Sequence, residues 1–317
     1  MADIAIRLYE KGDECQIIRL FQDVYGKPLT VEQWRWKYLG QGNLRVWAAL
    51  VFNDSGELVA HYGGLPVRMF FRGKHITACQ CVDAMVKEGY RAKDMGIAQT
   101  GSIFYKLGEL LYKTFGTFFY AFPGDVYYNW GRKTGHIEEC LTVPEYRLNC
   151  DNKLRSSSLY RLRVINWDDK RVDDLWHKVE KDIGWAMVRD REFVEWRYRD
   201  NPFYKHTIFG LEHILNSSLK GWAVVRDDGE DWRMMDAVFI DSYLEVLLAK
   251  LSAAGRSINK KSLKVWLPDR FADRLEAVGS IPHDIHTWMP NFIAYKAAGS
   301  DEIKQNFYYT MGDTDFL

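Results

Sequence analysis

The sequence has no net charge: 43 Lys and Arg balance 43 Asp and Glu over 317 residues. That balance excludes a dedicated polyanion binder, which needs surplus positive surface. It leaves room for a local basic pocket holding a small phosphate ligand. No stretch reaches 18 consecutive apolar residues, so no membrane-spanning helix is expected. The segment Met1 to Arg7 lacks a basic region followed by an apolar one, so it does not read as a signal peptide and a cytoplasmic protein is expected. Cysteines are few and scattered. Cys79 and Cys81 flank one residue, closer than zinc-knuckle spacing, and Cys15, Cys140 and Cys150 stand alone. Buried thiols in a reducing compartment are expected, and no metal. Gly96 and Gly101 have P-loop spacing, but Ser102-Ile103 stands where Lys-Ser/Thr is needed, and no Gly-x-Gly-x-x-Gly fingerprint occurs. Rings, in contrast, are plentiful: 12 Trp, 18 Tyr and 17 Phe make 15% of the chain. Large cores or a ring-lined pocket would both use them.

At roughly 100–200 residues per domain the length predicts about two domains. Comparing the halves shows why. Trp36-Lys37-Tyr38 recurs as Trp196-Arg197-Tyr198, 160 residues on. Val82-Asp83-Ala84 has the counterpart Met235-Asp236-Ala237, 153 on. Phe122-Pro123 before Gly135 matches Leu267-Pro268 before Gly279, with the prolines 145 apart. These matches keep one order and their spacing falls steadily, which predicts a tandem duplication.

The hydrophobic periods agree. Ile4–Tyr9 alternates as an edge strand. Asp13–Tyr25 has helical spacing, with Asp13 as N-cap. Leu44–Phe52 and Leu58–Phe71 read as strands joined by the turn Asn53-Asp54-Ser55-Gly56. Ile76–Val86 is a long apolar strand. A helix over Phe104–Phe115, a strand over Thr117–Phe122 and a short helix up to Gly135 follow. Residues 151–168 read as a crossing strand or linker, and 169–317 repeat the order. The tail from Asn306 to Gly312 is apolar enough for a final strand.

After the long strand comes Lys87-Glu88-Gly89-Tyr90-Arg91-Ala92-Lys93-Asp94-Met95-Gly96-Ile97-Ala98-Gln99-Thr100-Gly101-Ser102, and then the helix. A strand, a glycine loop and a helix N-terminus form an anion site because first-turn N–H groups are unpaired and glycine lets a phosphate approach the backbone. Arg91 and Lys93 add charge, and Thr100 and Ser102 add hydroxyls. A capped surface turn with a solvated basic pair is the plainer reading. The second copy helps here. Asp83 to Pro123 spans 40 residues and Asp236 to Pro268 only 32, and the connection Asp241-Ser242-Tyr243-Leu244-Glu245 has no basic glycine loop. One copy has the loop and the other lacks it.

The element order and this loop resemble the GCN5-related N-acetyltransferase (GNAT) superfamily, whose Arg/Gln-x-x-Gly-x-Gly/Ala motif cradles the pyrophosphate of acyl-coenzyme A. The matching piece is Gly89-Tyr90-Arg91 through Gly96-Ile97-Ala98. Its spacing departs, since Arg91 and Gly96 are five apart instead of three. Gly101-Ser102-Ile103-Phe104, Ala121-Phe122-Pro123 before Gly135-His136, and the ending Tyr308 to Asp315 resemble two-domain members. The resemblance implies an α+β chain of tandem GNAT-like domains, each a mixed, mostly antiparallel twisted sheet flanked by helices. Residues 1–150 would bind acyl-CoA, and 151–317 would be a degenerate copy without the pyrophosphate loop. Within the family, the chain is similar to N-acyltransferases that act on nucleotide-linked 3-amino sugars with a 3-hydroxybutyryl thioester, in O-antigen and lipopolysaccharide synthesis. A dTDP-linked amino sugar is the implied acceptor, and neither nucleic acid nor membrane is an implied partner.

The resemblance implies that an amine attacks the thioester directly. Met85 and Val86 would pair their backbone with the pantetheine arm, and one amide would stabilise the oxyanion. Arg91, Lys93, Gly96, Ile97, Ala98, Thr100, Gly101 and Ser102 would hold the pyrophosphate. Asp83, in an apolar strand, is the first candidate for the general base, although its counterpart Asp236 favours a structural role. His61 is the second candidate, beside Tyr62, Gly63 and Gly64, where glycines admit a ligand to the backbone. His75 is expected in an exposed turn. The position of the family's leaving-group acid is Gly131 here, so Tyr127 or Tyr128 would substitute. Tyr25, Trp36, Tyr62 and Gly63 are candidates for acceptor binding, with packing the plainer role for Trp36. A non-catalytic acyl-CoA-binding or scaffold protein is the alternative. A third possibility, aminoacyl transfer from tRNA, fits poorly with zero net charge.

Overall fold

The computed structural model describes residues 5–40, 42, 45–91 and 97–315, with the backbone alone over 97–102. Two compact units emerge. The first holds residues 1–68, 76–140 and 289–300, and the second holds 69–75, 141–288 and 301–317.

The first sheet runs β1 (Ala5–Leu8), β2 (Trp47–Phe52), β3 (Leu58–Phe71), β4 (Lys74–Val86), β5 (Phe119–Tyr120) in that spatial order. β1–β2 and β2–β3 are antiparallel. Arg72 and Gly73, both at positive φ (48° and 77°), make the two-residue turn between β3 and β4. Such turns match the right-handed twist of the strands they join. β5 is parallel to β4, with Cys79 opposite Phe119 and Gln80 opposite Tyr120. A crossover helix makes that parallel pairing possible: α3 (Ile97–Phe115) buries Ile103, Leu107 and Leu111 along one stripe, with Phe104 beside it. α1 (Glu14–Tyr25) and α2 (Val31–Leu39) follow β1 and pack on each other. Thr30 and Gln33 close a reciprocal capping box that starts α2. α4 (Asp125–Lys133) follows β5.

The second sheet has the order β13 (Ser280–Phe292), β6 (Ile137–Asn149), β12 (Ser262–Val265), β11 (Asp231–Phe239), β10 (Leu219–Asp228), β9 (His206–His213), β7 (Tyr160–Val164). Here too a hairpin, β10–β11, is followed by a crossover helix, α7 (Leu244–Ser257), and a parallel partner, β12. Between β7 and β9 come α5 (Arg171–Ile183), the short strand β8 (Ala186–Met187) and α6 (Arg191–Val194), which runs into a π-turn over Glu195–Arg199. α8 (Ala272–Ala277) precedes β13, and α9 (Ser300–Asn306) follows it. The linker expected at 151–168 contains the edge strand β7, paired with β9.

Two local expectations are corrected. Asp13 stands at the start of α1, but its carboxylate takes Arg7 at 2.7 and 2.8 Å and the Glu10 N–H at 2.8 Å, and makes no side-chain cap. The tail is no strand. Phe307 makes a single bridge to Trp185, and Met311–Asp313 form a 3-10 turn closed by a Thr310–Asp313 capping box. The capping side chains supply the backbone's hydrogen bonds locally, which removes the need for a strand partner.

Candidate functional site

The site is set by the phase of one strand. The N–H and C=O of alternate residues leave a strand on opposite edges. Cys79 donates to the Phe118 carbonyl at 2.8 Å, so Cys79 and Cys81 present their backbone to the β5 edge. Lys87 donates to the Val59 carbonyl at 2.8 Å, so Lys87 and Met85 present theirs to β3. That leaves Ala84 and Val86 on the β5 edge. The phase slips between 81 and 84, and Asp83 lies at the slip with φ 47°. A left-handed residue inside a strand marks a bulge, and bulges gather beside functional sites. β5 pairs with β4 at Cys79 and Gln80, and among the described residues the β4 edge beyond them has no strand partner.

A buried ion pair fixes the bulge. Lys37 Nζ reaches Asp83 Oδ1 at 2.8 Å and the Tyr38 hydroxyl donates to Oδ2 at 2.6 Å. The Lys37 and Asp83 side chains are 7% and 6% exposed. Burial pushes the Asp83 carboxyl up, but Lys37, the neighbouring His61 and the two hydrogen bonds outweigh it and hold the group below the usual carboxylate range. Both oxygens are engaged. The second unit builds the same device: Arg189 Nε reaches Asp236 at 2.8 Å, and Tyr198 donates to it at 2.8 Å. The recurring Trp-basic-Tyr motif therefore supplies a tyrosine to the strand aspartate in each unit.

His61 lies on β3 and is fully buried. Its Nδ1 is 2.8 Å from the Asp83 carbonyl oxygen. A carbonyl only accepts, so Nδ1 carries the proton in the neutral ring and Nε2 carries the lone pair. Nε2 has no partner among the described residues. Burial lowers the imidazole pKa, with Asp83 opposing. Gly63 is required beside it. A Cβ there would sit 2.5 Å from the Tyr38 hydroxyl and 2.9 Å from His61 Cε1. Residues 61 and 63 thus face α2.

Tyr62 faces the other way. Its ring meets Phe104 of α3 at 6.1 Å, and its hydroxyl lies 3.3 Å from that of Tyr127 on α4. Burial raises both phenol pKa values, so both groups stay protonated and can donate. Tyr128 is buried, with Arg132 3.4 Å from its hydroxyl. Gly131 has no room for a tyrosine, because a Cβ there would lie 2.8 Å from Ile137. Tyr25 ends α1 and is 43% exposed, and Trp36 is half-buried on α2.

Arg91 Nε donates to the Val86 carbonyl at 3.1 Å, which places the guanidinium at the open end of β4. Met85 is buried with its backbone toward β3. Lys93 and Gly96 lie outside the described residues. Ile97, Ala98, Thr100, Gly101 and Ser102 fall in the first turns of α3, with side chains outside the description. His75 is half-exposed beside the hairpin turn, 3.1 Å from Glu180. No disulfide joins the cysteines. Among the described residues no group of three or more His, Cys, Asp or Glu could hold a metal ion, and no helix is long and apolar enough to cross a membrane.

The first unit thus combines a bulged β4 with a crossover helix, α3, that follows a basic stretch of sequence. Residues 5–100 match the acetyltransferase (GNAT) domain family. A probable N-acyltransferase from Enterococcus faecalis shares 12% identity over 92% of this chain and 73% of its own, with a TM-score of 0.71. A GCN5-related N-acetyltransferase from Kribbella flavida shares 12% identity over 92% of this chain and 71% of its own, with a TM-score of 0.65. Saccharomyces cerevisiae N-myristoyltransferase with bound myristoyl-CoA shares 11% identity over 92% of this chain and 79% of its own, with a TM-score of 0.59. No curated protein matches the sequence. The fold is α+β with two helix-flanked sheets, consistent with tandem GNAT-like domains. The domain match supports an N-acyltransferase with acyl-CoA as co-substrate, and the structural neighbours show the shared fold.

Proposed function

We propose that the protein transfers an acyl group from coenzyme A to a small primary amine by direct attack. The β4 edge beyond Gln80, without a strand partner among the described residues, carries this reading, because it offers backbone groups of Ala84 and the Val86 N–H to an extended ligand as an added strand would. The thioester carbonyl lies against that edge, where the Val86 amide stabilises the oxyanion. The amine nitrogen bonds to the thioester carbon, the carbon–sulfur bond breaks, and the amine proton leaves to a base. Tyr127 donates to the departing thiolate, with Tyr128 the second choice. Arg91, Lys93 and the first turn of α3 hold the pyrophosphate. The amine enters past Tyr25 and Trp36.

The acceptor class proposed is the amino group of a nucleotide-linked sugar, dTDP-linked in the closest reading, in surface-polysaccharide synthesis in the cytoplasm. The family resemblance of the tail and of the loop supports it. Residues 151–317 serve as a second copy that keeps the strand aspartate and lacks the basic loop. Release of free thiol from acetyl-CoA and 3-hydroxybutyryl-CoA, read with a panel of primary amines, tests the proposal. Amine-dependent release with an N-acylated product is expected.

A further inference from the structure

Two groups at the bulge could take the amine proton, Asp83 and His61, and the second unit tells them apart. Asp236 there has the same tyrosine and a cation on its carboxylate, in a unit without the basic loop. The aspartate device therefore accompanies the strand, with or without a ligand loop. His61 does not recur. Lys87 pairs with Val59, which sets Met85, two residues past Asp83, opposite His61. In the second unit Val238, two residues past Asp236, is opposite Trp222. The fold fills that position with a fully buried indole. The first unit places an imidazole there, and its Nε2, like the Trp222 Nε1, is buried without a partner among the described residues. The indole N–H can only donate, whereas the imidazole Nε2 carries a lone pair that can take a proton.

We infer that His61 is the general base of the acyl transfer, and that Lys37, Tyr38 and Asp83 are positioning residues that fix its tautomer and the bulge. This rests on the acyltransferase reading above. The Asp83 carbonyl accepts from Nδ1 and leaves the Nε2 lone pair to take the amine proton, directly or through one water. As nitrogen bonds to the thioester carbon, the proton passes to Nε2 and the carbon–sulfur electron pair leaves with the thiolate. The charged and titratable groups facing the ring are Asp83 of β4 and Lys37 and Tyr38 of α2. The Asp83 carboxylate is a poor competitor, with both oxygens engaged.

The test compares wild type, His61→Asn and Asp83→Asn, using acetyl-CoA and the best amine of the panel. His61→Asn keeps an N–H for the Asp83 carbonyl and loses the lone pair. It is expected to lower kcat about 100-fold or more and to leave the acetyl-CoA KM within about threefold. Below the histidine's pKa, wild-type log kcat/KM falls with a slope of two against pH, one from the amine and one from His61. His61→Asn falls with a slope of one, and Asp83→Asn keeps the slope of two. Histidine 15N NMR of the whole protein, with His61→Asn assigning the resonance, is expected to show Nε2 as the unprotonated ring nitrogen at neutral pH. An unprotonated Nδ1, or a His61→Asn enzyme with unchanged rate and slope, overturns the assignment. No amine-dependent thiol release from wild type overturns the acyltransferase reading itself, and this assignment with it.

Discussion

Lys37→Met removes the cation from a buried pair and leaves Asp83 behind. Both side chains are under a tenth exposed and 2.8 Å apart, so water screens little of their attraction. Breaking such a pair by deleting one partner costs about 3–5 kcal/mol, because an uncompensated charge stays in the interior. An exposed pair would cost about 0–1 kcal/mol. With about 2–4 °C of Tm per kcal/mol for a protein of this size range, calorimetry should show a fall of roughly 6–20 °C. The cost depends on pH. In the wild type Asp83 is held below 3.8, so its contribution is present above 3.8 and is lost as pH falls through the lower, folded value. Without Lys37, burial dominates and raises the Asp83 pKa, so the deficit of the variant should narrow on acidification. Asparagine tolerates the left-handed backbone at 83. The double variant Lys37→Met with Asp83→Asn should therefore recover at least about 1 kcal/mol over the sum of the single changes. A loss below about 1 kcal/mol, or strict additivity, would refute the reasoning.

Two further predictions concern the loop and the tail. Arg91→Glu should raise the acyl-CoA KM at least about tenfold, equivalent to about 1.4 kcal/mol, with Tm unchanged. An unchanged KM would mean the phosphate site lies elsewhere. In the second unit, burial and the nearby Asp236 push the Asp313 carboxyl up to about 6, against the pull of the Arg189 guanidinium the two acids share. A raised carboxyl stabilises the fold below 3.8 and loses that contribution as pH rises through about 6. Wild type should therefore lose stability relative to Asp313→Asn between pH 4 and pH 7. A difference that does not change with pH would count against the shared-charge account.

Much of the fold could be read from hydrophobic patterning, because α1 and α3 bury one stripe while β2, β3 and the second half of β4 are apolar runs buried on both faces. The helix Val31–Leu39 was not, although its Thr30-x-x-Gln33 capping box stands in the sequence. Its aromatic content masks the amphipathic signal, since Trp34 and Tyr38 are buried while Trp36 is not. The repeat of Trp-basic-Tyr marked residues that matter, but not why. Lys37 and Tyr38 meet Asp83 from 46 and 45 residues away, and only the folded sheet makes that contact. The bulge was equally hidden, since nothing local to Val82-Asp83-Ala84 calls for a positive φ. The glycine in place of the expected acid was readable as a departure, and its cause, Ile137 filling the space, was not.

The central claim is that an amine takes an acyl group from coenzyme A at the open edge of β4. Mass spectrometry of the products, run beside thiol release from acetyl-CoA and 3-hydroxybutyryl-CoA, tests it most directly. The account predicts equimolar free coenzyme A and N-acylated amine, both abolished when the amine is omitted. Coenzyme A binding without an acylated amine, or no turnover of any acyl thioester with any amine, would contradict it.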